Sequence, residues 1–427
     1  MLRWIASLSL VLGCLTADVA RGDADVVTAW NGVMLKAVQE TRMPPPPATR
    51  AFAMVHLAIF DAVNGIEQGY EPYLVDFRQI PPPAGASAEA AAAVAAHTVL
   101  VTLFPQEQRR FDVQLRRCLR RVHPVSAREA GAEWGLLCGE AMLAARDDDG
   151  ATAVVPYTPS EEPGHWRPTP ADFGEALFPQ WPFLVPFAIE QGDQFRAPPP
   201  PELASEEYAI AFLEVKELGA VDSELRTEDQ TRIAFFWEDG PGSVTPPGRW
   251  QLIAQELVER FDLSLLETAR LFALLSMTQA DAAIVSWDSK YAYDHWRPVT
   301  AIPLADEDGN DLTDADPEWE PLLPTPPFPA YTSGHSTFSG SSAEMLELYF
   351  DDRNLAIDVR VPRPYIWPKQ LTGKVRSYRS LREAAEEAGQ SRIYGGIHWP
   401  HDNIEGLESG RALAEYVFST ALPPLAP

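Results

Sequence analysis

The run IHWPHDN at 397–403, preceded by SRIYGG at 391–396, gathers Arg392, His398, His401 and Asp402 in an otherwise apolar stretch. On one continuous helix Arg392 and His398 would stand about 240° apart around the axis. The pair Gly395-Gly396 is expected to break the chain between them and let both face one point. Pro400 suits the first position of a helix, which puts His398 just before that helix and Asp402 in its first turn. A carboxylate there can hold an imidazole in one tautomer through the second ring nitrogen. His401 has no matching partner in the sequence and reads as a flank or as a residue standing behind those that do the chemistry.

Two other stretches carry groups that suit the same chemistry. In WDSKYAYDHWRPVTAI, Lys290 and Arg297 are seven apart, which predicts two cations on one face of a long helix stopped by Pro298. Cations at a helix C-terminus also complement its dipole, so a solvated helix end stays open for this stretch alone. Lysine is scarce, however, with five in the chain. In PPFPAYTSGHSTFSG, Thr332, Ser333 and Gly334 fall at a predicted helix N-terminus, where free amides, a hydroxyl and a glycine can receive an anion, with His335 beside it. Simple capping by Ser333 is the plainer alternative.

These groups must be positioned by helices, because helical periodicity runs through nearly the whole chain. Segments 25–40, 48–68, 86–103, 106–122 and 126–147 read as helices, as do 202–218, 227–237, 250–261 and a long one opening with the capping box SLLE at Ser264. Strand-like alternation is nearly absent. Between them, residues 151–201 turn to Pro, Gly and aromatics and read as a long ordered connection. The expected organisation is an all-α fold of two packed helical bundles: 23–150, then the connection, then a bundle at 202–427 bearing the chemistry, packed as one unit with the first.

With 427 residues, 46% of them hydrophobic, the chain can bury a large core, and its net charge of -27 disfavours nucleic acid as a partner. Residues 1–22 place Arg3 before a short apolar run and then small residues, which fits an export signal. A lipid anchor at Cys14 is the less favoured version, and no later stretch reads as an integral membrane span. In an exported chain Cys118 and Cys138 could oxidise, but hairpin geometry sets Cys138 about two turns from the position facing Cys118, so a disulfide is disfavoured.

Together the motifs read K-x6-R-P, S-G-H and S-R-x5-H-x3-D, in that order. This pattern resembles the vanadium-dependent haloperoxidases and the type 2 phosphatidic acid phosphatases and acid phosphatases that share their site. Thr332 departs from it, since proline usually precedes S-G-H; loop stiffness should change more than chemistry. ADVVTAWN, AFAMVHLAIFDAVNGIE, PGHWRPTP and PPGRWQLIAQE extend the likeness to the chloroperoxidase-like exported bacterial branch over most of 24–415. The resemblance implies an all-α fold of two four-helix bundles and a vanadate cofactor. His398 would be the metal ligand, oriented by Asp402. Lys290, Arg297, Arg392, Ser333 and Gly334 would hold the vanadate oxygens, as charge-assisted bonds in a partly dry pocket favour. His335 would act as general base toward hydrogen peroxide and Lys290 would polarise it for attack by halide.

The same cradle suits phosphoryl transfer, with His398 as a phosphohistidine and His335 protonating the leaving group. Trp287 and Phe328 occupy positions that carry aromatics in the chloroperoxidase type of site. They favour a small halide over a phosphate ester, although core packing would also explain them. A non-catalytic anion cradle is the third and weakest reading. Two features are set aside: HWRP at 165–168 echoes 295–298 but has Ser160 where the motif needs lysine, and His56 and Asp61 lie in an apolar helix as core residues do.

Overall fold

The computed structural model describes residues 25–361 and 374–426, so the expected leader at 1–22 and Cys14 lie outside the described residues. Thirteen helices are described: α1 (Val26–Thr41), α2 (Pro45–Glu67), α3 (Ala88–Leu103), α4 (Gln108–Leu119), α5 (Val125–Ala145), α6 (Glu206–Leu218), α7 (Glu228–Phe236), α8 (Pro246–Phe261), α9 (Leu265–Tyr293), α10 (Pro298–Ala301), α11 (Gly334–Phe350), α12 (Leu381–Tyr394) and α13 (Pro400–Thr420). The expected all-α class holds. The two short strands among the described residues, β1 (Ile357–Arg360) and β2 (Val375–Tyr378), form an antiparallel pair with Ile357 opposite Tyr378. Four-residue strands carry too little alternation to be read from sequence.

Helix α9 is the spine. Every residue from Leu271 to Lys290 is buried, the signature of a helix covered on all sides. Helix α2 packs along it from the first bundle, where α3 joins α2 to α4 and α5; α11 and α13 pack along it from the second, where α11 also meets α8 and α12. The capping box at Ser264 fixes its start as expected, with Ser264 Oγ accepting from the Glu267 amide. Its end differs from the expectation. Asp294 adopts a left-handed conformation (φ 52°) and closes the helix after Tyr293, so Arg297 is not on α9 and instead caps α10. The seven-residue spacing therefore does not place Lys290 and Arg297 on one helical face.

The 151–201 connection is ordered, as its composition suggested, because α9 supplies polar anchors. Asp281, buried mid-helix, accepts the amides of Phe187, Ala188 and Ile189 at 2.7–3.0 Å. Asp288 pairs with Arg196 at 2.6 Å. The HWRP echo acts in the same way: the Trp166 amide donates to Asp294 O (2.7 Å) and the Trp296 amide to Gly164 O (2.9 Å). One copy thus straps down the chain leading to Arg297 in the other. In α2, His56 Nε2 meets Asn31 Oδ1 at 3.0 Å and its ring stacks on Phe272, while Asp61 accepts the amides of Tyr73, Leu74 and Val75. Both are core residues. Cys118 and Cys138 are free thiols.

Candidate active site

Three chain breaks bring the motif residues together. The first is the end of α9, where buried Lys290 donates from Nζ to the carbonyls of Pro329, Ala330 and Thr332 at 2.9, 2.9 and 2.5 Å. A lysine has three N–H donors, and here all three shape the loop ahead of α11. Its role beyond that loop is charge: Nζ lies 5.1 Å from the Phe328 ring centre and 5.7 Å from that of Trp287. Arg297 covers the same Phe328 ring at 5.0 Å and donates from Nε to Phe328 O (2.9 Å) and from Nη1 to Ile397 O (2.6 Å). Its Nη2 is buried without a partner. Burial first, then the charge of Arg392, push its guanidinium down to about 9, still cationic at neutral pH.

The second break is the α11 N-terminus. Ser333 caps it as expected, its Oγ accepting from the Ser336 amide at 3.4 Å while its own amide donates to Asp402 O at 2.9 Å. First-turn amides have no partner within a helix, so those of Gly334 and His335 are the natural anion donors here. A Cβ added at Gly334 would meet Trp287 at 3.5 Å and Phe338 at 3.7 Å. Those are ordinary contacts, so packing alone does not demand glycine there. Thr332, buried in the position where the resembled pattern has proline, lies within reach of Ser286 and Thr337 hydroxyls.

The third break is Gly396, at φ +72°, between α12 and the strand-like residues leading to α13. A Cβ there would stand 2.4 Å from Gly219 O, so only glycine fits both the conformation and the space. Gly396→Ala is therefore expected to lower unfolding stability by more than about 2 kcal/mol. Its residual folded fraction should bind orthovanadate more weakly because His398 is displaced; denaturant titration and equilibrium dialysis check the two effects.

Beyond this turn His398, 3% exposed, donates from Nδ1 to Asp402 Oδ2 at 2.7 Å. The same oxygen accepts the Trp399 amide at 3.0 Å. With the proton on Nδ1, the Nε2 lone pair accepts from Arg297 Nη1 at 3.0 Å. Burial, then Arg297 and Lys290, hold this imidazole well below its usual range, so it is neutral. Burial raises Asp402, opposed by the Trp399 amide and by Lys290 and Arg297.

Arg392, on α12, donates from Nε to Ser391 Oγ and from Nη2 to Ala234 O. Its Nη1 lies 3.4 Å from His335 Nε2, which itself donates to Glu238 O at 3.1 Å. That carbonyl can only accept, so the His335 proton sits on Nε2 and the arginine contact is charge proximity rather than a bond. Surrounding protein, then Arg392, keep His335 well below the usual imidazole range, although the edge of its ring reaches solvent. Trp287 and Phe328, ring centres 5.1 Å apart, form one wall, and Trp287 donates from Nε1 to Leu177 O.

The contacts thus link the residues singled out by sequence into one cluster. Sequence reasoning missed the end of α7 and the loop after it, where the carbonyls of Ala234 and Glu238 hold Arg392 and His335, and the buried pair Arg249–Asp239 (2.5 Å). A lone arginine in the apolar stretch PPGRWQLIAQE was the available signal. Carbonyl partners leave none. Among the described residues no group of three or more His, Cys, Asp or Glu could hold a bare metal ion. One imidazole lone pair, three cations, helix-end amides and an orphaned guanidinium nitrogen instead fit an oxyanion that carries its own oxygens.

The chain is similar to several known proteins. Residues 270–425 match the VCPO second helical-bundle domain. The chain is 28% identical to the vanadium chloroperoxidase of Curvularia inaequalis, over 89% of this chain and 79% of that protein. The crystal structure of the first bacterial vanadium-dependent iodoperoxidase superposes with a TM-score of 0.82 at 26% identity, covering 94% of this chain and 97% of the other. A holo-type bacterial vanadium-dependent chloroperoxidase shares the fold at a TM-score of 0.71 and 18% identity, over 89% and 92% of the two chains. The chain is thus similar to vanadium haloperoxidases along most of its length, and its residues 270–425 match the second helical-bundle domain.

Proposed function

We propose that the protein is a vanadate-dependent haloperoxidase that uses hydrogen peroxide and a proton to oxidise halide to hypohalous acid and water. The observation that carries this reading is the neutral His398 ring, whose Nδ1–H is held by Asp402 at 2.7 Å and whose Nε2 lone pair accepts from Arg297 Nη1 at 3.0 Å, beside an Arg297 Nη2 with no partner. Bound vanadate supplies a Lewis acid that makes peroxide oxygen electrophilic without changing its own oxidation state.

The protein's residues do the rest. His398 offers one neutral nitrogen ligand, and Asp402 fixes its tautomer. Arg297, Arg392 and the more distant Lys290 offset the anion's charge, which raises the electrophilicity of whatever oxygen it activates. Ser333 and the amides of Gly334 and His335 orient it. His335, its proton on Nε2, keeps Nδ1 as the acceptor for a proton from incoming peroxide, and its lowered basicity leaves it neutral near pH 7. Trp287 and Phe328 keep one side dry and narrow.

Phosphate-ester hydrolysis would use the same atoms. The Trp287–Phe328 wall favours a small halide over an ester, and one sample split between two assays decides the matter. In phosphate-free buffer with orthovanadate and peroxide, iodide or bromide oxidation is expected to be fast, and aryl phosphate hydrolysis without vanadate slow. Vigorous ester hydrolysis with no halide oxidation would overturn the proposal.

A further inference from the structure

The orienting carboxylate has a second face that the account so far leaves idle. Asp402 is wholly buried, and while Oδ2 accepts two protons, Oδ1 has no partner. His401 Nε2 stands 3.6 Å from it. His401 is itself 7% exposed, and neither of its ring nitrogens has a partner. Neighbouring residues on a helix ordinarily point apart. These two approach because Asp402 folds back toward Trp399 N and His398, while the His401 ring is held flat on Trp399 (6.2 Å, 18°) and edge-on to His295 (5.5 Å). No other acceptor stands at either nitrogen to hold the ring proton.

We propose that His401 is a positioning residue: its Nε2–H closes onto Asp402 Oδ1 and clamps from behind the carboxylate that orients His398. The result is an imidazole–carboxylate–imidazole row whose front member faces the anion and whose rear member never touches it. Closing the remaining gap, about 0.6 Å to reach an ordinary N–H···O length, needs only a small rotation of the ring. An unpartnered buried carboxylate oxygen and an unpartnered buried N–H side by side are each costly, and pairing removes both costs. Burial, then His295, hold His401 well below its usual basicity, which supports a neutral donor with one proton to give. Purely apolar packing against Trp399 would be served equally well by a phenyl ring. This inference rests on the reading of His398 as the residue that faces bound vanadate.

Two variants separate the possibilities: His401→Phe keeps the ring and loses the proton, whereas His401→Gln keeps a donor. The first readout needs no vanadate. It is the downfield proton resonance of the His398 Nδ1–H bonded to Asp402, assigned by its loss in Asp402→Asn. It should move upfield and exchange faster with water in His401→Phe, and stay near its wild-type position in His401→Gln. The second is orthovanadate affinity by equilibrium dialysis, expected to weaken about tenfold in His401→Phe, the lower end for residues that orient a metal ligand, with most of it restored in His401→Gln. An unchanged resonance and affinity in His401→Phe would overturn the proposal, as would equal losses in both variants, which would mean packing alone. If wild-type protein bound no vanadate, the functional reading would fail while the resonance still reported on His401.

Discussion

His398→Ala abolishes vanadate-supported halide oxidation and lowers orthovanadate affinity by more than about a hundredfold, beyond the ten- to hundredfold typical of residues that only orient a ligand. This imidazole combines a proton fixed on Nδ1 by Asp402 with an Nε2 lone pair that can exchange the Arg297 N–H for a metal. Asp402→Asn serves as the contrast. It keeps the shape but can hold the opposite His398 tautomer, so its loss should fall within the smaller range. Removing the imidazole also leaves a buried carboxylate short of a donor, a stability cost of about 1–3 kcal/mol. Affinity is therefore read by dialysis on protein whose folding has been checked by circular dichroism. Wild-type turnover in His398→Ala would remove this residue from the chemistry.

The second large effect is expected at Arg297. Its side chain is wholly buried, donates to Phe328 O and Ile397 O, stands against His398 Nε2 and keeps Nη2 unspent. Arg297→Ala removes both the charge that an oxyanion needs and two bonds that join the Phe328 loop to the turn before His398. A loss of about 3–5 kcal/mol in stability is expected from opening a buried charged network, together with near-complete loss of vanadate binding. Arg297→Lys separates the two roles. Its point charge should recover part of the affinity but not the planar fork, since lysine cannot reach both carbonyls and the anion at once. Equal vanadate affinity in wild type and both variants would show that the guanidinium only braces the loop.

The fold was largely legible because its helices are long and bounded by strong punctuation. The capping box at Ser264 and the cap at Ser333 act where the sequence places them, while α2 starts earlier than expected because Pro45–Pro47 form its first turn. The turn at Gly396 and the start of α13 at Pro400 were equally clear, for a positive φ favours glycine and the first helical position favours proline. The relation of Lys290 to Arg297 was not. A left-handed aspartate ended α9 four residues early, and aspartate signals that conformation far more weakly than glycine would. Lys290 was expected to point its protons at an anion; the loop carbonyls that take them cannot be read from side-chain types. His401, which the sequence leaves as either a flank or a support behind the site, gains its neighbour through a carboxylate that bends back across the helix start.

The central claim is that these separate segments enclose one oxyanion beside His398. Its most direct test is a crystal soaked with orthovanadate in phosphate-free solution, with vanadium located by its anomalous scattering. The account predicts one strong peak within bonding distance of His398 Nε2, ringed by Arg297, Arg392 and the α11 N-terminus. A peak bound elsewhere, or an empty pocket at vanadate concentrations that support halide oxidation in solution, would contradict it.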